Sequence, residues 1–236
     1  MSRWQRLAFR AKQFDPRTIP GLFAWWDPSN STSVTLNGSA ISALADVTGN
    51  GRNAVQAVGS AQPLIGTIND RNAIVGDNGD VLIATASYSI TAQSTFAVFR
   101  AETYTSFGRI VTQESDTQNA VYIPLLLPND STFRIGSYFD GGYRSSMTIA
   151  QGASVIGESH HDGSTLRCVA NGVSGATYTK ALGFSPTKLA LANGLSVSNA
   201  LLGRIGEVLV WNRALTSAEI VRVRRYLSAK WRISVS

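Results

Sequence analysis

GRIGEVLVWNRALTSAEIVRVRRYLSAKW, residues 203–231, changes its hydrophobic period halfway along. In the first part Ile205, Val208, Val210 and Trp211 are apolar and Glu207 and Arg213 interrupt them, which reads as a half-buried strand over 204–213. Thr216 is followed three positions later by Glu219, the spacing of a capping box: the hydroxyl accepts a free helix N–H and the carboxylate accepts the N–H of the cap residue. The spacing predicts a helix over 216–231. Ile220, Val223, Leu227 and Trp231 recur at helical intervals, while Arg222, Arg224, Arg225 and Lys230 fill other positions, so the apolar line should dock on the strands that precede it.

Working outward, 236 residues suit one large all-β domain, a class that runs to ~200–250 residues without splitting. Hydrophobic residues make up 44% and charged residues 15%, and the 21 glycines lie among many Ser, Thr, Asn and Asp, which suits short strands joined by tight turns. Gly21 to Trp26 reads as a nearly fully buried aromatic strand ended by Asp27, Pro28, Ser29 and Asn30. Two hairpins are signalled, one across Asn37-Gly38 and one across Asn171-Gly172. Short alternating runs separated by turns fill the middle, the pattern of a sandwich.

Four stretches carry a family likeness: PGLFAWWDPSN (20–30), ISALADVTGNGRNAVQA (41–57), HDGSTLRCVANGV (161–173), and IGEVLVWNRALTSAEI (205–220) with the ending LSAKW (227–231). Together they resemble the concanavalin A-like lectin/glucanase (LamG-like) domain family, especially the stand-alone versions of phage virion proteins. The resemblance implies an all-β, two-sheet antiparallel jelly-roll sandwich with a short C-terminal α-helix packed on it. It divides the chain into a basic N-terminal arm, 1–19, and a sandwich domain, 20–236, that includes the helix 216–231.

The net charge of +6 belongs to the ends. Residues 1–17 hold five Lys/Arg and one Asp, residues 222–236 hold five Lys/Arg and no acid, and the stretch between carries 11 basic against 14 acidic residues. Without a basic stripe interleaved with aromatics, this pattern fits docking to an acidic protein surface better than nucleic-acid binding. Arg3, Trp4, Arg6, Leu7 and Arg10 form an amphipathic set suited to hold a partner, a terminal strap or loose end being the plainer reading. The opening MSRWQRLAFRAKQF holds no apolar run of the ~7–15 residues a signal peptide needs, and no stretch reaches the ~18 needed to span a bilayer. The single cysteine, Cys168, excludes an intrachain disulfide and fits assembly in a reducing cytoplasm.

Enzyme chemistry is sparsely signalled. Glucanases need two carboxylates flanking one glycosidic bond, and no Glu-x-Asp-x-x-Glu run occurs; the nearest acidic run, Glu114-Ser115-Asp116, has i, i+2 spacing but falls where a strand gives way to a turn. His160, His161 and Asp162, with Cys168, invite a metal or triad reading, yet adjacent strand residues point to opposite faces. The loop Asp46 to Asn53 gathers oxygen ligands: a turn bonding its own backbone is the favoured reading, with Ca2+ at Asp46 and Asn50 as the alternative and no other cofactor implied. For a glycan, Tyr104, Tyr138, Asp140 and Tyr143, with Phe107 and Phe139 nearby, make the best aromatic cluster, against a reading in which the rings are core or strand-end residues.

The sequence therefore leads to a non-catalytic structural component of a virion, a head decoration or tail-associated subunit attached through its basic termini to other proteins of the assembly. A glycan-binding adhesion module is the alternative, and a glycoside hydrolase the third reading.

Overall fold

The computed structural model describes residues 14–77, 79–103, 108–115, 121–127, 133–139, 141–195 and 199–236. The described chain begins with strands β1 (Leu22–Trp26), β2 (Val34–Asn37), β3 (Ala40–Leu44), β4 (Ala54–Val55), β5 (Leu64–Ile68), β6 (Arg71–Gly76), β7 (Leu82–Thr85) and β8 (Gln93–Ala101). It continues through β9 (Arg109–Glu114), β10 (Val121–Leu126), β11 (Arg134–Phe139), β12 (Gly142–Thr148), β13 (Ser154–His161), β14 (Thr165–Ala170), β15 (Val173–Thr179), β16 (Lys188–Leu191) and β17 (Gly203–Trp211) to the helix α1 (Ser217–Trp231). The fold is all-β with one C-terminal helix, and none of the described helices is long and apolar enough to cross a membrane.

The antiparallel pairings run in two series. One is β5-β6-β17-β8-β13-β14-β15, in which the free edge of β17 is shared between β6 at Gly203–Ile205 and β1 at Val208–Trp211. The other is β2-β3-β4-β7-β16-β9-β10-β11-β12. Among the described strands one register pair, Ala40 with Leu64, joins them.

Alternation along the strands sorts the apolar residues into two cores. Between the layers lie Ala97, Phe99 and Ala101 of β8 and Ile205, Val208 and Val210 of β17, facing Val111, Leu125, Ile135 and Leu189. The other face of the same strands presents Phe96, Val98, Leu209 and Trp211, on which the helix lays Ile220, Val223, Leu227 and Trp231. All four helical residues are buried, at ~1.5–3 kcal/mol each for a side chain of this kind. The sequence-based expectation of a half-buried β17 is corrected here: the helix returns over the strand's second face, so nearly every residue of β17, Glu207 included, is buried.

The local signals took their expected forms. Thr216 Oγ1 accepts the N–H of Glu219 while the Glu219 carboxylate accepts the N–H of Thr216, and Arg213 adds a 2.6 Å ion pair to the same carboxylate. Asn171 and Gly172 both have positive φ, the requirement of a two-residue hairpin turn whose twist matches its strands. A bulge between Ile205 and Glu207 shifts the phase of β17, and Gly206 sits there directly beneath Trp231: an added Cβ would lie 2.7 Å from the indole.

Candidate functional site

Beside the helix, a cleft of about 760 Å³ opens between α1, β1 and the start of β6. Its apolar surface comes from Phe14, Trp25 and Tyr226, with Val47 and Ala229, and its polar rim from Asp27, Asn30, Arg71, Arg222, Arg225 and Lys230. Phe14 meets Tyr226 edge-on at 5.8 Å between ring centres, and Trp25 meets Tyr226 the same way at 6.4 Å, so the rings fix one another's orientation.

Under this surface lies a hub built on Glu207. Its Oε1 accepts from Trp25 Nε1 at 2.7 Å and Tyr226 Oη at 2.9 Å, and its Oε2 accepts from Trp231 Nε1 at 2.7 Å and pairs with Lys230 Nζ at 2.7 Å. Lys230 Nζ also bonds Asp27 Oδ2 at 2.5 Å and donates to Tyr226 Oη at 3.2 Å. Burial, with the neighbouring Asp27 charge, pushes the Glu207 carboxyl above its usual range although Lys230 and Trp231 oppose the shift. Burial and the carboxylates nearby likewise hold the Tyr226 phenol protonated, as a donor. The hub joins β1, β17 and α1 in one polar contact and sets the angle of the rings above it. Glu207 itself is fully buried, so the groups that reach the open cleft are those of the rim and the rings.

A second buried carboxylate ties the helix further along. Glu158 of β13 takes Arg224 through both oxygens at 2.5 and 2.9 Å and His160 Nε2 at 2.8 Å. Burial alone would raise its pKa, but the hydrogen bonds from Arg224 and His160 prevail and bring it below the ordinary value. Lys230 and Arg224, counted in the sequence among the basic C-terminal residues suited to an acidic partner, are thus engaged inside the molecule.

The residues singled out from the sequence fall elsewhere. Arg3, Trp4, Arg6, Leu7 and Arg10 of the arm lie outside the described residues, as do Tyr104, Phe107 and Asp140. Tyr138 is half-buried, and its Cα pairs with that of Tyr143 across β11 and β12, so the backbone sets these two tyrosines opposite one another away from the cleft. Asp46 bonds its own loop: Oδ1 accepts the N–H groups of Trp25 and Thr48 and the Thr48 hydroxyl, and Oδ2 accepts the N–H of Arg52. Asn50 turns its amide N–H2 toward the carbonyls of Leu22 and Phe23. Among the described residues no three His, Cys, Asp or Glu side chains gather as a metal site.

His160 and His161 do point apart, one to Glu158 under the helix and the other to the carbonyl of Lys180. Cys168 is fully buried, as a small apolar residue would be, but it faces the Ser137 hydroxyl at 3.0 Å in a polar strip that also holds Ser159 and Tyr122. Glu114 is buried against Arg109 at the end of β9. The hub escaped sequence reading, although one signal was present: Glu207 is the lone acid in an apolar run, with three tryptophans in the flanking elements whose indole N–H groups need acceptors.

No family model matches the chain, and no curated protein matches it in sequence. Among solved structures it is similar to Trypanosoma rangeli sialidase in complex with the inhibitor DANA, at 12% identity and a TM-score of 0.62 over 92% of this chain and 34% of that one. It is similar to domain 4 of AbnA, a GH43 extracellular arabinanase from Geobacillus stearothermophilus in complex with arabinotriose, at 16% identity and 0.60 over 86% of this chain and 98% of that one. A GH54 α-L-arabinofuranosidase matches at 13% identity and 0.63, over 89% of this chain and 59% of that one. The chain spans about a third of the sialidase and 59% of the arabinofuranosidase, but nearly all of the arabinanase domain.

These likenesses show the fold, one shared with chains of carbohydrate-active proteins. They overturn the expectation that the chain is not an enzyme, because the neighbours named are glycoside hydrolases or a part of one. They give the virion reading no support.

Proposed function

We propose that the chain is a carbohydrate-binding domain of the concanavalin A-like, jelly-roll kind, and that its saccharide lies in the cleft over Phe14, Trp25 and Tyr226. The observation that carries this is the cleft itself. Its 760 Å³ falls within the ~300–1,000 Å³ of small-ligand sites, and Tyr226, braced edge-on by Phe14 and by Trp25, stands beside a few oriented polar groups, the arrangement that receives the apolar face of a sugar and fixes its hydroxyls. The fold is that of an arabinanase domain solved with arabinotriose, which this chain matches over almost the whole of that domain.

The test is a screen of neutral and acidic oligosaccharides by amide chemical-shift perturbation, with Phe14→Ala as the cleft variant. Shifts gathered at Phe14, Asn30 and Tyr226, and lost in Phe14→Ala, support the proposal. Shifts gathered at Tyr138 and Tyr143 would move the site to β11 and β12, and no response at millimolar saccharide would end the carbohydrate reading.

A further inference from the structure

We infer that the cleft selects an acidic saccharide, one bearing a carboxylate or sulfate, through the guanidinium groups of Arg71, Arg222 and Arg225; this rests on the reading of the cleft as a sugar site. Five cationic side chains line it. Two are already neutralised: Arg17 forks onto Asp15, with bonds of 2.8 and 3.0 Å to Oδ2, and Lys230 lies between Asp27 and Glu207. The other three have no carboxylate partner among the described residues.

Each of the three is placed by its surroundings. Arg71 Nε donates to the Lys230 carbonyl at 2.5 Å, which anchors its side chain at the C-terminal end of α1. Arg222 stacks its guanidinium 4.9 Å over the Phe14 ring. Arg225 stands three residues from Arg222, on the same side of the helix and exposed.

Like charges at that spacing repel, and α1 offers nothing to offset them: its single acid, Glu219, is taken by the cap and by Arg213. The one acid among the residues that line the cleft, Asp27, is taken by Lys230. An oxyanion carried on a pyranose or furanose ring would therefore meet three uncompensated guanidiniums while its ring lay against Phe14 and Tyr226. Arginine suits this role because its planar fork matches a carboxylate or sulfate with two parallel hydrogen bonds.

Calorimetry on the full chain tests the inference with four probes: an oligogalacturonate, its neutral methyl ester, a sulfated oligosaccharide of similar length, and a short single-stranded DNA. At least one acidic saccharide should bind about tenfold or more tightly than the methyl ester, with affinity falling as salt rises. Arg225→Gln, an exposed position whose change should leave the unfolding midpoint in place, should lose about tenfold for the acidic ligand and little for the ester; Arg71→Gln should do the same. Which acidic probe is preferred decides between carboxylate and sulfate.

Equal binding of ester and acid at the cleft, with both arginine variants unaffected, would overturn the charge selectivity and leave the sugar site standing. Acid binding indifferent to both variants would also overturn it. Tighter binding of the DNA than of any saccharide would replace the ligand class, and binding of no probe would remove sugar site and selectivity together.

Discussion

Replacing Glu207 by Gln tests whether α1 is held to the strands by a shared carboxylate as well as by apolar contact. Each carboxylate oxygen receives two donors, Trp25 and Tyr226 on Oε1, Trp231 and Lys230 on Oε2, all within 2.7–2.9 Å. A Gln amide offers one oxygen and one N–H2, so in either orientation two of the four donors meet another donor. Turned one way it opposes Trp25 and Tyr226; turned the other it opposes Trp231 and leaves Lys230 with Asp27 alone. Removing one member of a buried ion pair costs ~3–5 kcal/mol, and the neutral amide recovers part of the desolvation that raises the Glu207 pKa, which leaves a net loss of about 3 kcal/mol. For a chain of this length each kcal/mol moves the midpoint by ~2–4 °C, so the unfolding temperature should fall by about 6–12 °C. Scanning calorimetry reads that shift, and tryptophan emission should change with it, since one of the two indoles loses its acceptor in either orientation. A midpoint within about 1 °C of the parent protein would refute the reasoning and show that the apolar seam alone holds the helix.

Leu227→Ala removes a fully buried side chain under the helix and should cost ~2–5 kcal/mol in urea unfolding; a loss below ~1 kcal/mol would mean the helix is weakly docked. Gly206→Ala should destabilise by ~1–3 kcal/mol because the new methyl would stand 2.7 Å from the Trp231 ring, and a neutral result would show that the ring has room to move. Glu219 is held down to about 2 by Arg213 and the cap, against an ordinary 4.5. A depressed acid stabilises the fold above its unfolded pKa and loses that contribution as pH falls through the folded value, so the loss runs from about pH 4.5 to about pH 2. Glu219→Gln should accordingly flatten the acid limb of midpoint against pH, and an unchanged limb would assign the acid loss to other carboxylates such as Glu158.

What the sequence made legible was whatever is fixed within a few residues. The capping box needs only Thr216 and Glu219, the late hairpin only Asn171 and Gly172, and the apolar line of α1 repeats on one helix; all three formed as read. The burial of Glu207 was not legible, because it depends on α1 folding back over β17, a tertiary event that turns one polar position of an alternating strand into an interior one. The cleft was illegible for the same reason: Phe14, Trp25, Arg71 and Tyr226 are distant in sequence and meet only after the layers close. Aromatic residues near one another along the chain point to Tyr104, Tyr138 and Tyr143, whereas the rings braced around the cleft come from the segment that precedes β1, from β1 and from α1.

The sharing of β17's edge between β6 and β1 has a consequence for how the chain acquires its structure. Trp211 Nε1 donates to the carbonyl of Ile19, 192 positions earlier, and Trp25 meets Glu207 across 182. While the protein is being synthesised, β1, β6 and β8 therefore emerge long before the strand that joins them, and each presents open hydrogen-bonding edges to solvent and to other nascent chains. Closure by so distant a segment places folding at the slow end of the range, ms to s. A fragment ending before residue 203 would keep most of its strands and lack the one that seats three others, so truncation there should yield aggregates rather than a smaller folded domain.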